Sequence, residues 1–287
     1  MGNFSERLKR FSQTKSPLTP EQERRVSEFK RRGCRVPNRR MIKTAEDIEG
    51  IRVSGVINTG VLDEVASKIK AGVSTEEIDQ WVYNYTVAHD AIPADLHYEG
   101  YPKSVCVSIN DVVCHGIPNK DTILKEGDIV NVDVSTIYKG YFSDASRMFI
   151  IGKTDPERER LVRVTKEAME KGIEAAQAWN FLGDVSHAVQ QHAESNGFSV
   201  VREFGGHGVG LQFHEDPFVS HVGRPHTGVL LVPGMTFTIE PMINMGRCEI
   251  DIDRKDGWTV RTIDRKPSAQ WENTILITEN GPEILTH

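Results

Sequence analysis

At 287 residues, 38% hydrophobic and 26% charged, the chain is long enough to bury one or two cores and unlike a disordered polypeptide. It has no run of about 18 apolar residues to span a bilayer, and its start, MGNFSERLKRF, lacks the apolar stretch of a secretory signal. The net charge of −6 hides an asymmetry: residues 1–43 carry 13 Lys/Arg against 4 Glu, the remainder 22 basic against 37 acidic residues. A basic extension, 1–43, is therefore expected ahead of an acidic body, 44–287. Cys34, Cys106, Cys114 and Cys248 form neither a CxxC pair nor a small-domain disulfide framework, so reduced thiols in a cytoplasm are expected.

Residues 3–12 read as a polar amphipathic piece, followed by a break at Pro17 and Pro20. A helix is then expected from Glu21 to Arg32, ended by Gly33 and Pro37. Thr44 with Asp47 makes a capping pair that opens a helix with the apolar stripe Ile48, Ile51, Ile57, Val61, Val65 and Ile69, stopped by Gly72. Ser74 with Glu77 is a second capping box, and Ile78, Trp81, Val82 and Tyr85 mark the next helix. From residue 104 the text turns strand-like: SVCVSI, DIVNVDVSTI and YFSDASRMFI.

The pattern then recurs. Asp155-Pro156 fits an N-cap with proline at the first helical position, and Leu161, Val164, Ala168 and Ile173 continue that helix. Another runs from about Leu182 to near Gly197, before strand-like FSVVREF, VPGMTFTIEPMI, WTVRTI and QWENTILITE. Two helices followed by strands, twice over, predict two related α/β halves of about 100–130 residues each.

Charges stand out in the strand-like text. If Lys139-Gly140 forms a two-residue hairpin turn, Asp133 faces Ser146, and Asp144 becomes its diagonal neighbour on the same sheet face. Two carboxylates that close repel unless a cation bridges them; two exposed strand aspartates are the plainer alternative. In TFTIE, Thr236, Thr238 and Glu240 share one face and Phe237 and Ile239 the other, while Glu272 alternates with Trp271 and Asn273. Spacing alone does not bring the glutamates together. GGHGVG matches neither the Walker nor the dinucleotide spacing; its glycines would let the backbone bend and carry His207 to a buried centre. His214 in FHEDP and His115 in VCHGIP are two further histidines in loop-like text.

Taken together, GYPKSVCVSINDVVCHGIP, GDIVNVDVS, GYFSDASRMF, GGHGVGLQFHEDP, PGMTFTIEPMI, DGWTVRT and SAQWENT resemble type I methionine aminopeptidase over roughly residues 44–287. The resemblance implies the pita-bread fold, an α/β (α+β) arrangement of two pseudo-symmetric halves with antiparallel sheet and covering helices. It implies that Asp144 and Glu272 bridge two divalent metal ions, that Asp133 completes one metal's shell, and that His207 and Glu240 complete the other's. An oxygen-rich shell with one imidazole suits Co, Mn or Fe, and Zn is also compatible. His115 would sit near the scissile amide nitrogen, His214 near the carbonyl oxygen, and Glu240 would serve as general base and then acid. Tyr98, Tyr101, Cys106, Phe213 and Trp258 would form the methionine pocket, with His115 and His214 also touching substrate.

The implied activity is removal of the initiator methionine from nascent chains whose second residue is small, by a cytoplasmic monomer. The +9 charge of the extension suggests ribosomal RNA as a partner for it, and no membrane. Two rival readings of the same fold are a proline-specific peptidase, which usually carries a large extra N-terminal domain, and a non-catalytic binder of RNA or protein, which would have lost ligands. The chain departs from the family at Asp95, where a small residue or cysteine is common, and at His97, where glycine is common. An apparent one-residue insertion around CEIDIDRKDG is expected to lengthen a surface hairpin.

Overall fold

In the computed structural model, which describes residues 16–287, five α-helices pack against a curled, nine-stranded antiparallel sheet. The amphipathic piece read at 3–12 lies outside the described residues. Helix α1 (Pro20–Arg31) is capped by Thr19 in a capping box with Gln22, one residue earlier than expected. It buries no residue fully, but Val26 and Phe29 lean on the second half's core, and Arg25 lies over the Trp179 ring at 4.2 Å.

Helix α2 (Ala45–Lys68) starts at the Thr44/Asp47 box and α3 (Thr75–Ala88) at the Ser74/Glu77 box, as their sequences predict. The buried face of α2 differs from the expected stripe. Ile51, Val61 and Val65 are buried, but so are Ser54, Gly55 and Asn58, whereas Ile48, Ile57 and Ile69 are only half-buried. The reason is polar: Ser54 donates to the Thr136 carbonyl at 3.0 Å and Asn58 to the Val134 carbonyl at 2.5 Å, so the helix is hydrogen-bonded to the sheet beneath it. Gly55 permits the approach, since a Cβ there would stand 2.2 Å from the Leu285 carbonyl oxygen. Helices α4 (Pro156–Ala175), capped by Asp155, and α5 (Leu182–Ser195) cover the other half.

The sheet comprises β1 (Ile92–Pro93), β2 (Cys106–Ile109), β3 (Ile129–Tyr138), β4 (Tyr141–Ile150), β5 (Gly206–Gly208), β6 (Glu215–Val219), β7 (Thr236–Ile239), β8 (Glu272–Thr278) and β9 (Gly281–Ile284). Its path is β1-β3-β4-β8-β7-β5-β6, with β2 also on β3 and β9 also on β8. The β3–β4 hairpin has the register expected from a two-residue turn: Tyr138 pairs with Tyr141, Ser135 with Asp144 and Asp133 with Ser146.

Alternation then sorts the two faces. Val132, Val134 and Ala145 join Val61, Leu62, Val65, Ile78 and Val82 in the first half's core. Phe237, Ile239, Ile275 and Ile277 join Leu161, Val164, Val185 and Val189 in the second half's core. The helices therefore cover one face of the sheet, and Asp133, Asp144, Glu240 and Glu272, in or just after the same strands, project from the other. Residues 35–43 run beside this body: Arg35 bridges Val229, Ile42 bridges Met235, and Met41 and Ile42 are buried. The acidic stretch CEIDIDRKDG runs into a short hairpin, Ile250–Ile252 paired with Val260–Thr262, whose first strand is largely exposed while Val260 and Thr262 of the second are buried.

Candidate metal centre

Sheet register draws the charged residues into a row. Asp133 and Glu272 both pair with Ser146, from β3 and β8 on either side of β4. Glu240 directly follows Ile239, which pairs with Asn273, and so stands beside Glu272. The donor atoms of Asp144, His207 and Glu272 lie within 4.8 Å of one another, and His207 Nε2 is 3.5 Å from Asp144 Oδ2 and 3.6 Å from Glu240 Oε1. Asp144, Glu240 and Glu272 are all buried.

His207 was expected in a bending glycine loop, but it occupies the centre of strand β5. Neither flanking glycine has a left-handed backbone. A Cβ on Gly206 would meet the Thr238 carbonyl oxygen at 2.3 Å, and one on Gly208 the Asp216 carbonyl oxygen at 2.2 Å. Glycine here serves close strand approach rather than a bend. The His207 backbone N–H donates to Thr238 Oγ1 at 3.0 Å, and Nδ1 lies 3.0 Å from the Gly208 carbonyl oxygen. A proton on Nδ1 satisfies that carbonyl and leaves the Nε2 lone pair facing the carboxylates, the arrangement a metal-ligating histidine needs.

The electrostatics are those of a negative cluster short of positive charge. Burial, then the charges of Asp144, Asp95 and Glu240, push Asp133 well above the ordinary aspartate range. Burial and the charges of Asp144, Glu240 and Asp133 do the same to Glu272. Burial likewise lifts Glu240 to about 7, although the charge of His207 and the Thr238 hydroxyl pull it down. Burial opposes a charge on His207, yet its hydrogen bond to Asp144 and the charges of Glu240 and Asp144 prevail and raise it to about 9. Carboxyl groups crowded together in this way resist ionising together, and a divalent cation among them would hold them ionised. Four carboxyl groups and one imidazole, buried or half-buried and converging, form a donor set that fits hard or borderline divalent ions.

Other contacts fix the donors. Ser135 Oγ donates to Asp144 Oδ1 at 2.8 Å, Thr238 Oγ1 to Glu240 Oε1 at 2.6 Å and Gln270 Nε2 to Glu240 Oε2 at 3.3 Å. The Glu240 backbone N–H donates to Nε2 of buried His221, whose pKa burial depresses to about 3, keeping it a neutral acceptor. Sequence reading passed over Ser135, Gln270 and His221. The alternation of Gln270 with Glu272 was a visible hint, whereas nothing in the sequence marked His221.

The cluster forms the base of a cavity of about 760 Å³. Tyr98, Tyr101, Cys106, His115, Phe213, His214 and Trp258 all line it. Tyr98 meets Phe213 edge-on at 4.8 Å and Tyr101 meets Trp258 edge-on at 5.1 Å, while Cys106 pairs with Asp133. The Tyr101 hydroxyl is committed to the Val105 and Gly116 carbonyls, at 3.1 and 3.0 Å, and so offers the cavity its ring. His115, with a left-handed backbone at φ 57°, meets Phe204 and Trp258 edge-on at 5.4 and 5.9 Å, and burial lowers its pKa to about 4. The His214 ring lies 4.2 Å from that of His207, and its Nδ1 is 3.0 Å from the Tyr98 hydroxyl. Burial, then the charges of His207 and His115, lower its pKa to about 3. Asp95 also lines the cavity, buried, accepting a 3.3 Å bond from the Ser135 N–H, and burial and the Asp144 charge push it well above the usual range. His97 takes a left-handed backbone, φ 69°, a conformation that favours the glycine common in the family it resembles.

Residues 49–279 match Metallopeptidase family M24. The chain is 51% identical over 246 residues to a methionine aminopeptidase of Escherichia coli strain K12, covering 85% of this chain and 93% of that protein. It is 53% identical over the same length to one from Salmonella typhimurium. Among solved structures, the methionine aminopeptidase of Rickettsia prowazekii superposes with a TM-score of 0.84 at 46% identity, covering 86% of this chain and 99% of that one. A prolidase from Pyrococcus horikoshii, at 24% identity and a TM-score of 0.67, shares the fold, and the chain covers 64% of it. With its sheet, its row of buried carboxylates and these likenesses in accord, the chain belongs to metallopeptidase family M24.

Proposed function

We propose that the protein is a methionine aminopeptidase that removes the initiator methionine of nascent chains and peptides when the second residue is small. The observation that carries this reading is the convergence of Asp133, Asp144, His207, Glu240 and Glu272 on one cavity lined by aromatic side chains. Asp133, Asp144, His207, Glu240 and Glu272 would hold the divalent ions. Co, Mn, Fe and Zn all suit such donors. When bound, the ions supply Lewis-acid activation of a water and of the substrate carbonyl.

The rest of the chemistry belongs to the chain. Glu240, held by hydrogen bonds from Thr238 and Gln270, would take a proton from water and return it to the leaving amine. Neutral His214, with Nδ1 receiving the Tyr98 hydroxyl proton, presents its Nε2 proton to the substrate carbonyl oxygen as negative charge develops there. Neutral His115 lies beside the scissile amide nitrogen. Tyr98, Tyr101, Cys106, Phe213 and Trp258 enclose the methionine side chain, where each sulfur–ring contact contributes about 0.3–1.5 kcal/mol. Release of methionine from Met-Ala-Ser by the Mn- or Co-loaded protein tests the reading. No release by the wild type, or full activity in Asp144→Ala, would overturn it.

In this reading residues 44–287 are the catalytic domain and act as a cytoplasmic monomer. The basic extension, 1–43, docks on ribosomal RNA near the emerging chain, a contact whose affinity should fall with salt. Ribosome co-sedimentation of the full chain should exceed that of a chain beginning at Met41; equal binding would remove the extension from this role.

A further inference from the structure

We infer that Lys43 and Glu215 form a buried ion-pair clamp that positions Phe213 and His214 over the metal centre. Both are positioning residues for the reaction proposed above, and the inference rests on that reading. Lys43 Nζ lies 2.7 Å from Glu215 Oε2; the Lys43 side chain has no solvent exposure and that of Glu215 has 11%. Charges so deeply buried are seldom present without a task, because each must be drawn out of water.

The other oxygen of Glu215 shows the task. Oε1 accepts the backbone N–H groups of Leu211 at 2.6 Å and Gln212 at 2.8 Å. One carboxylate thus ties down both ends of the turn that carries Phe213 and His214, while its other oxygen pairs with the Lys43 ammonium. Lys43 is itself held rigidly. Its N–H donates to the Gly234 carbonyl at 2.8 Å, Ile42 before it bridges Met235, and Thr44 after it caps α2. The route of its alkyl stem is kept open by Gly210, where a Cβ would stand 2.4 Å from the Ile51 side chain and 3.2 Å from Lys43 Cε. The turn is closed from its other side by the Phe142 N–H, which donates to the Gly210 carbonyl at 2.8 Å. His214 therefore inherits its place from a lysine 171 positions earlier in the chain.

The test combines turnover of Met-Ala-Ser by the Mn-loaded full chain with the His214 imidazole resonances of the chelated protein. Lys43→Met should lower kcat by about 10- to 100-fold, as expected for a displacement of about 1 Å in a reacting geometry, with bound Mn unchanged. Lys43→Met combined with Glu215→Gln should recover most of that loss, since the amide oxygen still accepts both N–H groups and no charge is left unpaired. In a His214→Ala background, Lys43→Met should cost little more, whereas a merely structural role would multiply the two losses. If Lys43→Met does not fold, Glu215→Ala, which removes the acceptor of both N–H groups, carries the same comparison. Unchanged kcat, or multiplying losses, would overturn the clamp. If the wild type releases no methionine, the proposed activity fails instead. The clamp then stands or falls on whether the His214 resonances shift in the variant.

Discussion

Stripping divalent metal from the protein and raising the pH from about 7 to about 8.5 is expected to destabilise the fold. An acid whose folded pKa exceeds its unfolded value leaves the folded state holding more protons, so stability falls as pH rises. Glu240 moves from 4.5 to about 7, and its share is lost across that window. At about 1.4 kcal/mol per pH unit, ionising it in the fold costs about 3 kcal/mol more than in the unfolded chain. Burial and neighbouring carboxylates raise Asp133 and Glu272 well above their usual values and carry the loss to higher pH. His207, raised from 6.5 to about 9, stabilises fully below 6.5 and loses that contribution as pH climbs through 9.

His115, His214 and His221 act in the opposite sense, but burial lowers them from 6.5, so their effect is confined to more acid solution. In the chosen window, the His207 proton alone contributes a slope of about −1.4 kcal/mol per pH unit. Urea unfolding of the chelated protein should therefore show a loss of about 2 kcal/mol or more between the two pH values. With saturating Mn the ions replace the protons, and the slope should vanish or reverse. Chelated stability that stays flat or rises would refute the reasoning.

His214→Ala should lower kcat for Met-Ala-Ser by about 100- to 1,000-fold with KM little changed, the loss seen when one transition-state donor is removed; a KM effect alone would place His214 in binding only. Asp95→Cys should lower KM by roughly fivefold, about 1 kcal/mol, because a thioether no longer has to pack against a buried carboxyl group; a raised KM would make Asp95 a contributor to methionine binding. Gly55→Ala should destabilise the fold by about 1–3 kcal/mol in thermal unfolding, because the added carbon has only the Leu285 carbonyl to move into. An unchanged Tm would mean that α2 lifts from the sheet without cost.

Local chemistry made the helix starts legible in the sequence: Thr44, Ser74 and Asp155 each cap where their text says. The β3–β4 register was legible for a similar reason, since a two-residue turn leaves no freedom of parity and places Asp133 and Asp144 on one face. Glu240 and Glu272 were not, because their neighbourhood depends on β8 lying between β4 and β7, a non-local pairing that only the family resemblance could supply. The polar face of α2 escaped because Ser54 and Asn58 read as surface residues until a strand carbonyl lies beneath them. Lys43 and Glu215 escaped too: the last lysine of a basic arm and a glutamate in FHEDP give no hint that they meet in the interior.

The row Asp133–Ser146–Glu272 runs across three strands, and its outer members are 139 residues apart in sequence. No segment shorter than the stretch from β3 to β8 can assemble such a site, since its outer members meet only through non-local strand pairing. While the chain grows, the first hairpin presents two aspartates and no more, too few to hold an ion firmly. Metal binding by the full donor set then becomes coupled to the pairing of β8 with β4, and a chain that lacks this pairing would lack the site.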